Sequence, residues 1–321
     1  MIVVNYNTAG LVIDCLDSLA REAAGRGMRV IVVDNDSPDG SAARVAGAIA
    51  SRGWAGWAEV LPAGRNGGFS AGNNAALRVL LADPDPPEFL WLLNPDTVVR
   101  PGALGELVAV LDAHPRAGLA GSRLEAPDGT VSRSAFRFPG VAAEFESGVR
   151  LGLVSRLLSR FLVAPPPRDR AHTSDWLSGA SVLVRREVFE QVGLLDEGFF
   201  LYFEDVDFCR RAWAAGWECW HVPESRVVHL EGQATGMNGG ERPARRVPPY
   251  WLAARRRYFV KHHGHLTAWV ASLAWALGHA SWRVRRRLQA KRDTDPPRLL
   301  EDFVRYNFLT RHPSLRPEVV R

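Results

Sequence analysis

The first hundred residues alternate short apolar runs with amphipathic stretches. Residues 2–4, 30–33, 60–61 and 89–93 are uninterrupted apolar runs, the pattern of strands covered on both faces. Between them, residues 11–23, 41–50 and 71–81 read as helices. This βαβα alternation predicts an α/β fold, a mostly parallel Rossmann-like sheet flanked by helices. In such sheets ligands bind beyond the carboxyl ends of the strands. The polar clusters Asn5-Tyr6-Asn7, Asp34-Asn35-Asp36 and Asn94-Pro95-Asp96 fall at those ends.

Beyond residue 100 the pattern thins. Residues 104–111 predict a helix, Asp128-Gly129 a turn and 164–167 a stiff proline-rich loop, while the rest of 103–174 shows no clear period. Order returns with a strand at 182–184, a short helix at 186–192 and a helix at 208–215. Residues 235–249, rich in Gly, Pro and Arg, read as a mobile loop or linker. The sequence contains no internal repeat.

Composition adds compartment and charge. The 321 residues, 46% hydrophobic, are ample for one large α/β domain with an extension. Three widely spaced cysteines, Cys15, Cys209 and Cys219, predict reduced thiols and argue against a disulfide-built secreted protein. No basic-then-apolar leader opens the chain, so a cytoplasmic location is expected. The net charge of +5 hides an asymmetry: residues 242–298 carry fourteen Lys/Arg against two acids. A mildly acidic body with a basic C-terminal segment suggests chemistry in the first and attachment to something anionic in the second.

Each polar motif has a plain structural reading beside a functional one. The 34–40 segment, Asp-Asn-Asp-Ser-Pro-Asp-Gly, is either a turn with a helix cap or a site where Asp34 meets the imide N–H of a pyrimidine base. The Gly-rich 65–74 segment enters a helix, and such a loop lets backbone amides approach phosphates. It lacks both GxGxxG and GK[ST], so neither a dinucleotide nor a P-loop nucleotide is implied. Asn94-Pro95-Asp96 follows a core strand, where it is either an Asn-Pro turn or places a carboxylate fit for Mg²⁺ or Mn²⁺. In 193–207 five acids fall among aromatics, and 199–203 reads as a continuous apolar wall. A carboxylate against such a wall has a raised pKa suited to a general base, which favours catalysis for Asp205, while Asp207 reads as a helix cap. His229 is either a structural histidine or a ligand of the same metal.

Taken in order, VVNYN, VVDNDSPDGS, NGGFSAGNN, LLNPD, LSGASVLVRREVF, GLLDEGFFLYFEDVDFCRRAWAAGW and His229 resemble glycosyltransferase family 2, especially its rhamnosyltransferase-like branch, over residues 1–235. The resemblance implies a GT-A fold and inverting transfer from a nucleotide diphosphate sugar, usually with a divalent metal, Mg²⁺ or Mn²⁺. It places Asn5, Tyr6, Asp34 and Asn35 around the nucleoside, with Asn66 and Asn73 helping to hold the nucleotide. Asp96 then matches the last acid of the family's DxD motif and binds metal, with His229 completing the site. Asp205 matches the acid of the ED motif and is the base, with Glu204 beside it. Trp176, Ser178, Gly179 and Ala180 resemble the segment shaping the donor and acceptor pocket, and Arg211 is placed near the diphosphate. Asn94 departs from DxD and removes a charge from the metal site. The chain also begins abruptly at its first strand, where relatives carry several residues more.

The resemblance divides the chain into a catalytic domain, 1–235, a mobile linker, 236–250, and a basic, Trp-rich helical extension, 251–321. Within the first, 1–100 is the nucleotide-binding half and 101–235 the acceptor half. It favours dTDP-rhamnose as donor, with a UDP-hexose or galactofuranose donor left open, and a glycan or lipid-linked acceptor. In the extension, Leu266, Trp269, Val270, Leu273, Leu277 and Val284 share one helical face, with Arg255–Arg257 before and Arg283–Arg287 after. That combination predicts a helix lying peripherally on an anionic membrane surface at the inner face of the plasma membrane. The competing expectation is packing on the catalytic domain or in a homodimer. No nucleic-acid motif accompanies the arginines, so no nucleic acid is expected. The rival functions are a nucleotidyltransferase, disfavoured because residues 5–10 supply no Gly-rich basic loop, and an inactive sugar-nucleotide or glycan-binding protein.

Overall fold

A computed structural model describes residues 1–23, 27–230 and 245–310. The chain forms two compact units, residues 1–136, 166–200 and 204–230 in the first and 137–165, 201–203 and 245–310 in the second. Residues 137–165 and 201–203, inside the segment 1–235 expected to be one domain, group with the C-terminal residues. Most of the expected linker, residues 236–244, lies outside the described residues; its end is helical, since a helix starts at Pro249.

The first unit opens β1 (Ile2–Asn5), α1 (Ala9–Ala23), β2 (Val30–Asp34), α2 (Ser41–Ser51), β3 (Ala58–Pro62), α3 (Gly68–Leu81) and β4 (Phe89–Leu93). β5 (Thr97–Val99), α4 (Ala103–Ala113), β6 (Ala117–Glu125) and β7 (Ala135–Phe136) follow. After residues 137–165 the unit resumes with β8 (His172–Ser174), β9 (Trp176–Leu177), β10 (Ser181–Arg185), α5 (Arg186–Val192), α6 (Glu204–Ala214) and β11 (Glu218–His229). The main sheet runs β3-β2-β1-β4-β10-β6-β11-β5, with β8 also paired to β11. Its first four strands are parallel, as the apolar runs predict, and β1, β2 and β4 are almost wholly buried. β10 then runs antiparallel between β4 and β6, and β5 returns antiparallel on β11. Helices α1 and α4 pack their Leu and Val faces on the sheet, in a core that includes Leu16, Leu19, Leu107 and Leu111. All three cysteines are buried and free, as their spacing predicts.

The second unit contains α7 (Val141–Val149), α8 (Gly152–Leu157), α9 (Pro249–Leu288) and α10 (Leu299–Val304). α9 breaks at Gly264, whose φ of 78° is open to glycine but strained for other residues. The triplet Arg255–Arg257 therefore lies inside the first segment of α9 rather than ahead of a helix. Arg255 is buried, donating to Glu144 Oε2 at 2.8 Å and to Ser272 Oγ at 3.0 Å. Arg285 reaches the Val149 carbonyl and Arg286 pairs with Asp293, so much of the basic charge expected on the surface is turned inward.

Candidate active site

Where β1 and β2 end side by side, Asn5 is fully buried and clamps the two turns together. Its Nδ2 donates to Asp34 Oδ1 at 2.6 Å, and its Oδ1 accepts from the Thr8 N–H and hydroxyl at 3.2 and 2.9 Å. Asp34 in turn accepts from the Ser37 N–H at 3.0 Å and its hydroxyl at 2.7 Å, so its carboxylate organises the turn. Tyr6 stands beside this clamp with 43% of its surface exposed.

The Gly-rich loop is fastened at several points. Asn35 Nδ2 donates to the Gly68 carbonyl at 2.9 Å, and the Phe69 N–H donates to the Phe200 carbonyl at 2.8 Å. Gly68 has φ of 81°, and a Cβ there would sit 1.9 Å from the Phe200 oxygen, so only glycine permits this approach. Asn66 is exposed, with Oδ1 accepting from the Gly68 N–H at 3.1 Å. Asn73 is buried and donates to the Phe69 carbonyl one turn back, at 2.9 Å. Asn74, which the motif reading left without a role, bridges both ways to the Leu195 backbone, at 2.8 and 3.1 Å, and to Glu197 at 3.0 Å.

Asp96 and His229 are far apart in sequence but meet through pairing, because β5 and β11 place His229 opposite Thr97. Asp96 Oδ1 lies 3.2 Å from His229 Nε2, and Asn94 Nδ2 lies 3.4 Å from the same nitrogen. Asp96 is buried, and its Oδ1 has no partner with hydrogen-bond geometry. Among the described residues no cluster of three His, Cys, Asp or Glu is suited to a metal, so the third polar group here is an amide.

Glu204 and Asp205 lie in the first turn of α6, four residues earlier than the helix start predicted from sequence. Acids are favoured there by the positive end of the helix. Asp205 Oδ2 accepts from the Gly179 N–H at 3.2 Å and Oδ1 from the Val206 N–H at 2.8 Å. Burial pushes its carboxyl up to about 6 against the lowering effect of those N–H groups. Glu204 is buried and raised well above the ordinary carboxyl range, first by burial and then by Asp205 and Asp207. The expected wall over 199–203 is not continuous: Phe199 is fully buried, Phe200 is exposed, and 201–203 belong to the second unit.

The segment before β10 joins these parts. Next to Gly179, the Ala180 carbonyl accepts from the Asn94 N–H at 3.0 Å, and Ser178 donates its N–H to the Ser134 carbonyl at 3.0 Å. The Phe69 ring lies 3.6 Å from where a Gly179 Cβ would be, and Asp205 Cβ is equally near. Trp176 stacks on Phe136 with centroids 4.2 Å apart, a pairing set by the β7–β9 register. Phe69 and Phe136 had no polar signal in the sequence to single them out. Arg211 has a full set of internal partners. Its guanidinium is held by Asp207 at 2.9 Å and by the Val192 and Leu194 carbonyls at 2.5 and 2.8 Å, contacts that brace α6.

Comparison with known proteins decides what this arrangement belongs to. The profile described as Glycosyl transferase family 2 matches residues 1–193. The chain belongs to that family. It is 32% identical over 277 residues, 81% of the chain and 82% of the relative, to the N-acetylglucosaminyl-diphospho-decaprenol L-rhamnosyltransferase of Mycobacterium tuberculosis. It is 27% identical over 169 residues to rhamnosyltransferase WbbL of Escherichia coli, covering 50% of this chain and 60% of that one. Among solved structures, the mannosyltransferase PcManGT of Pyrobaculum calidifontis, in complex with GDP-Man and Mn²⁺, matches with a TM-score of 0.51 at 16% identity, covering 90% and 78% of the two chains. GalNAc-T7, with UDP, GalNAc and Mn²⁺, matches with a TM-score of 0.58 at 16% identity, covering 90% of this chain and 56% of that one. These likenesses establish the GT-A fold, and the family establishes a glycosyltransferase, so the nucleotidyltransferase and inactive-binder readings fall away.

Proposed function

We propose that this glycosyltransferase moves a sugar, with rhamnose from dTDP-rhamnose the favoured donor, onto a hydroxyl of a lipid-linked glycan with inversion at the anomeric carbon. The named activities of the M. tuberculosis and E. coli relatives support the sugar, and the first also supports a polyprenyl diphosphate acceptor. The observation that carries the mechanism is the link through 179–180: Gly179 holds Asp205, while Ala180 holds the turn bearing Asp96. Base and metal ligand are thereby fixed at one end of the β4–β10 pair.

In this reading Asp205 takes the proton of the acceptor hydroxyl as that oxygen attacks. A pKa of about 6 leaves the carboxylate ionised at neutral pH while still a stronger base than an ordinary aspartate. Burial and the neighbouring acids raise the proton affinity of Glu204, which favours placing the negative charge of the pair on Asp205. Asp96 and His229 fit a divalent cation of the Mg²⁺ or Mn²⁺ class: a buried carboxylate oxygen without a hydrogen-bond donor faces an imidazole nitrogen, with Asn94 beside them. Such an ion would offset the charge on a departing nucleotide diphosphate. Asn94 in place of an acid leaves the set with less charge than two carboxylates would give. Exposed Tyr6 and Asn66, with Asn5, Asp34 and Asn35 as the frame behind them, form the nucleotide side.

The deciding experiment couples a thermal-shift screen of dTDP-, UDP- and GDP-sugars, with Mn²⁺, to a transfer assay on a polyprenyl diphosphate-GlcNAc acceptor. Stabilisation by dTDP-rhamnose and transfer of rhamnose are expected. Stabilisation and transfer confined to a UDP- or GDP-sugar would overturn the donor assignment.

A further inference from the structure

Within the second unit, the helix after the Gly264 break is built the wrong way round for water. Its buried face is made of small and polar residues, Ala268, Ala271, Ser272, Ala276, Gly278 and His279. Gly278 and Gly148 let α9 and α7 approach closely: a Cβ on Gly278 would lie 2.8 Å from the Val149 nitrogen, and one on Gly148 2.5 Å from the Trp275 carbonyl. Trp275 packs inward on Phe303, but six large apolar side chains face outward. Leu266, Leu277 and Leu288 are 76%, 59% and 81% exposed, and Trp269, Val270 and Val284 are exposed with them. At 100° per residue all six fall within one narrow stripe, about 33 Å long at a rise of about 1.5 Å per residue. A soluble helix buries its leucines and exposes its alanines; a helix facing lipid does the reverse, packing on protein through small residues.

A second segment of the same unit repeats the pattern. In α8 and the turn after it, Leu153, Leu157 and Phe161 recur every four residues and all are exposed, Leu157 at 74%. Of the seventeen exposed large hydrophobic residues among the described ones, twelve lie in this unit. Cations accompany them: Arg156 and Arg160 alternate with the leucines of α8, and Arg283 and Arg287 flank the C-terminal end of the α9 stripe. Residues 147–168 and 265–288 contain no acid at all. Two copies meeting through such a surface would bring arginines together without counter-charges, whereas anionic headgroups complement them.

We infer that the outward stripe of α9 and the Leu153–Leu157 face of α8 seat the protein in the headgroup layer of an anionic bilayer. The helix lies in the interface rather than crossing it, and among the described residues no helix is long and apolar enough to span a membrane. This goes beyond the proposed function and does not depend on which sugar is moved, though it would bring the enzyme to a lipid-anchored acceptor.

The test is flotation of the full chain with vesicles of neutral phosphatidylcholine alone or with added phosphatidylglycerol, in low and high salt. The wild type is expected to float with the anionic vesicles and to be released by salt. Leu266→Glu with Leu277→Glu should cut binding at least about tenfold, and Arg283→Gln or Arg287→Gln about fivefold each. Both leucines are exposed, so the variants should keep the wild-type melting temperature and its stabilisation by donor nucleotide, which separates this result from any failure of the proposed chemistry. Vesicle binding undiminished by the leucine changes would overturn the inference. So would a wild type that ignores anionic vesicles and sediments as a dimer split by those same changes.

Discussion

The Asp205 carboxylate accepts the backbone N–H of Gly179 at 3.2 Å, and that bond ties the first turn of α6 to the strand end beside Asp96. As the proposed base, Asp205 would keep its position through the reaction because main chain rather than a flexible side chain holds it. Two opposed effects set its proton affinity: burial raises it, and the N–H groups of Gly179 and Val206 lower it, leaving a value of about 6.

The rate of transfer should therefore rise with pH and reach half its plateau near pH 6. Asp205→Asn should lose about 10²–10⁴-fold in kcat, the range for a removed general base, with donor affinity little changed. Initial rates across pH 5–8 and donor titration by calorimetry check both. A pH profile flat through that window, or an active asparagine variant, would assign the proton to another group.

Burial of the acidic pair has a consequence for stability with a definite sign. Both carboxyls hold protons more tightly folded than unfolded. Their contribution to stability is therefore complete below about pH 4, the unfolded range, and is lost as pH rises, through about 6 for Asp205 and in the same direction for Glu204. Glu204→Gln keeps the shape and removes the titration. It should raise the melting temperature at pH 8 by a few degrees and change it little at pH 4. Melting curves at the two pH values decide, and an equal change at both would disprove the linkage.

Asn94 makes the proposed metal site tunable. Asn94→Asp places a second carboxylate near His229 and should tighten Mn²⁺ binding by about tenfold or more, while His229→Ala should weaken it by about as much. Electron paramagnetic resonance of free Mn²⁺ reads the affinity without any turnover. Unchanged affinity in both variants would remove the ion from this place.

Much of this architecture can be read in the residues. Strands β1, β2 and β4 are buried on both faces, so their apolar runs are unbroken and their polar ends stand out. The beginning of α6 misleads because Glu204-Asp205 looks like a loop preceding a helix, whereas the helix dipole draws those acids into the first turn. The meeting of Asp96 with His229 depends on an antiparallel pairing of residues more than a hundred positions apart, which no local period encodes. Helices α7 and α8 escape notice for another reason: α8 buries none of its residues, so it carries no inward stripe. Its leucines Leu153 and Leu157 face out, and a stripe turned outward looks aperiodic when judged as a core-facing one.

Gly68 gives a sharp steric test. Its φ of 81° is strained for any other residue, and an added Cβ would meet the Phe200 oxygen at 1.9 Å. Gly68→Ala must therefore push the Phe200 segment away and break the Phe69 N–H to Phe200 bond, at a cost of about 1–3 kcal/mol. Because Phe200 lies only a few residues before Glu204, the variant should lose stability and turnover together. A folded variant with wild-type kcat would show that the loop does not position the acidic turn.

Arg211 separates a structural arginine from a ligand-binding one. Asp207 is wholly buried, and Arg211 is its ion-pair partner at 2.9 Å while also capping the Val192 and Leu194 carbonyls. Removing one member of such a pair strands a buried charge, which typically costs about 3–5 kcal/mol. Arg211→Gln should therefore melt well below the wild type, while the folded fraction binds donor nucleotide with unchanged affinity. Replacing both partners, Arg211→Met with Asp207→Leu, removes the stranded charge and should recover part of the loss. The opposite result, a wild-type melting temperature with donor affinity down tenfold or more, would return Arg211 to the diphosphate and mean that its bracing contacts are dispensable.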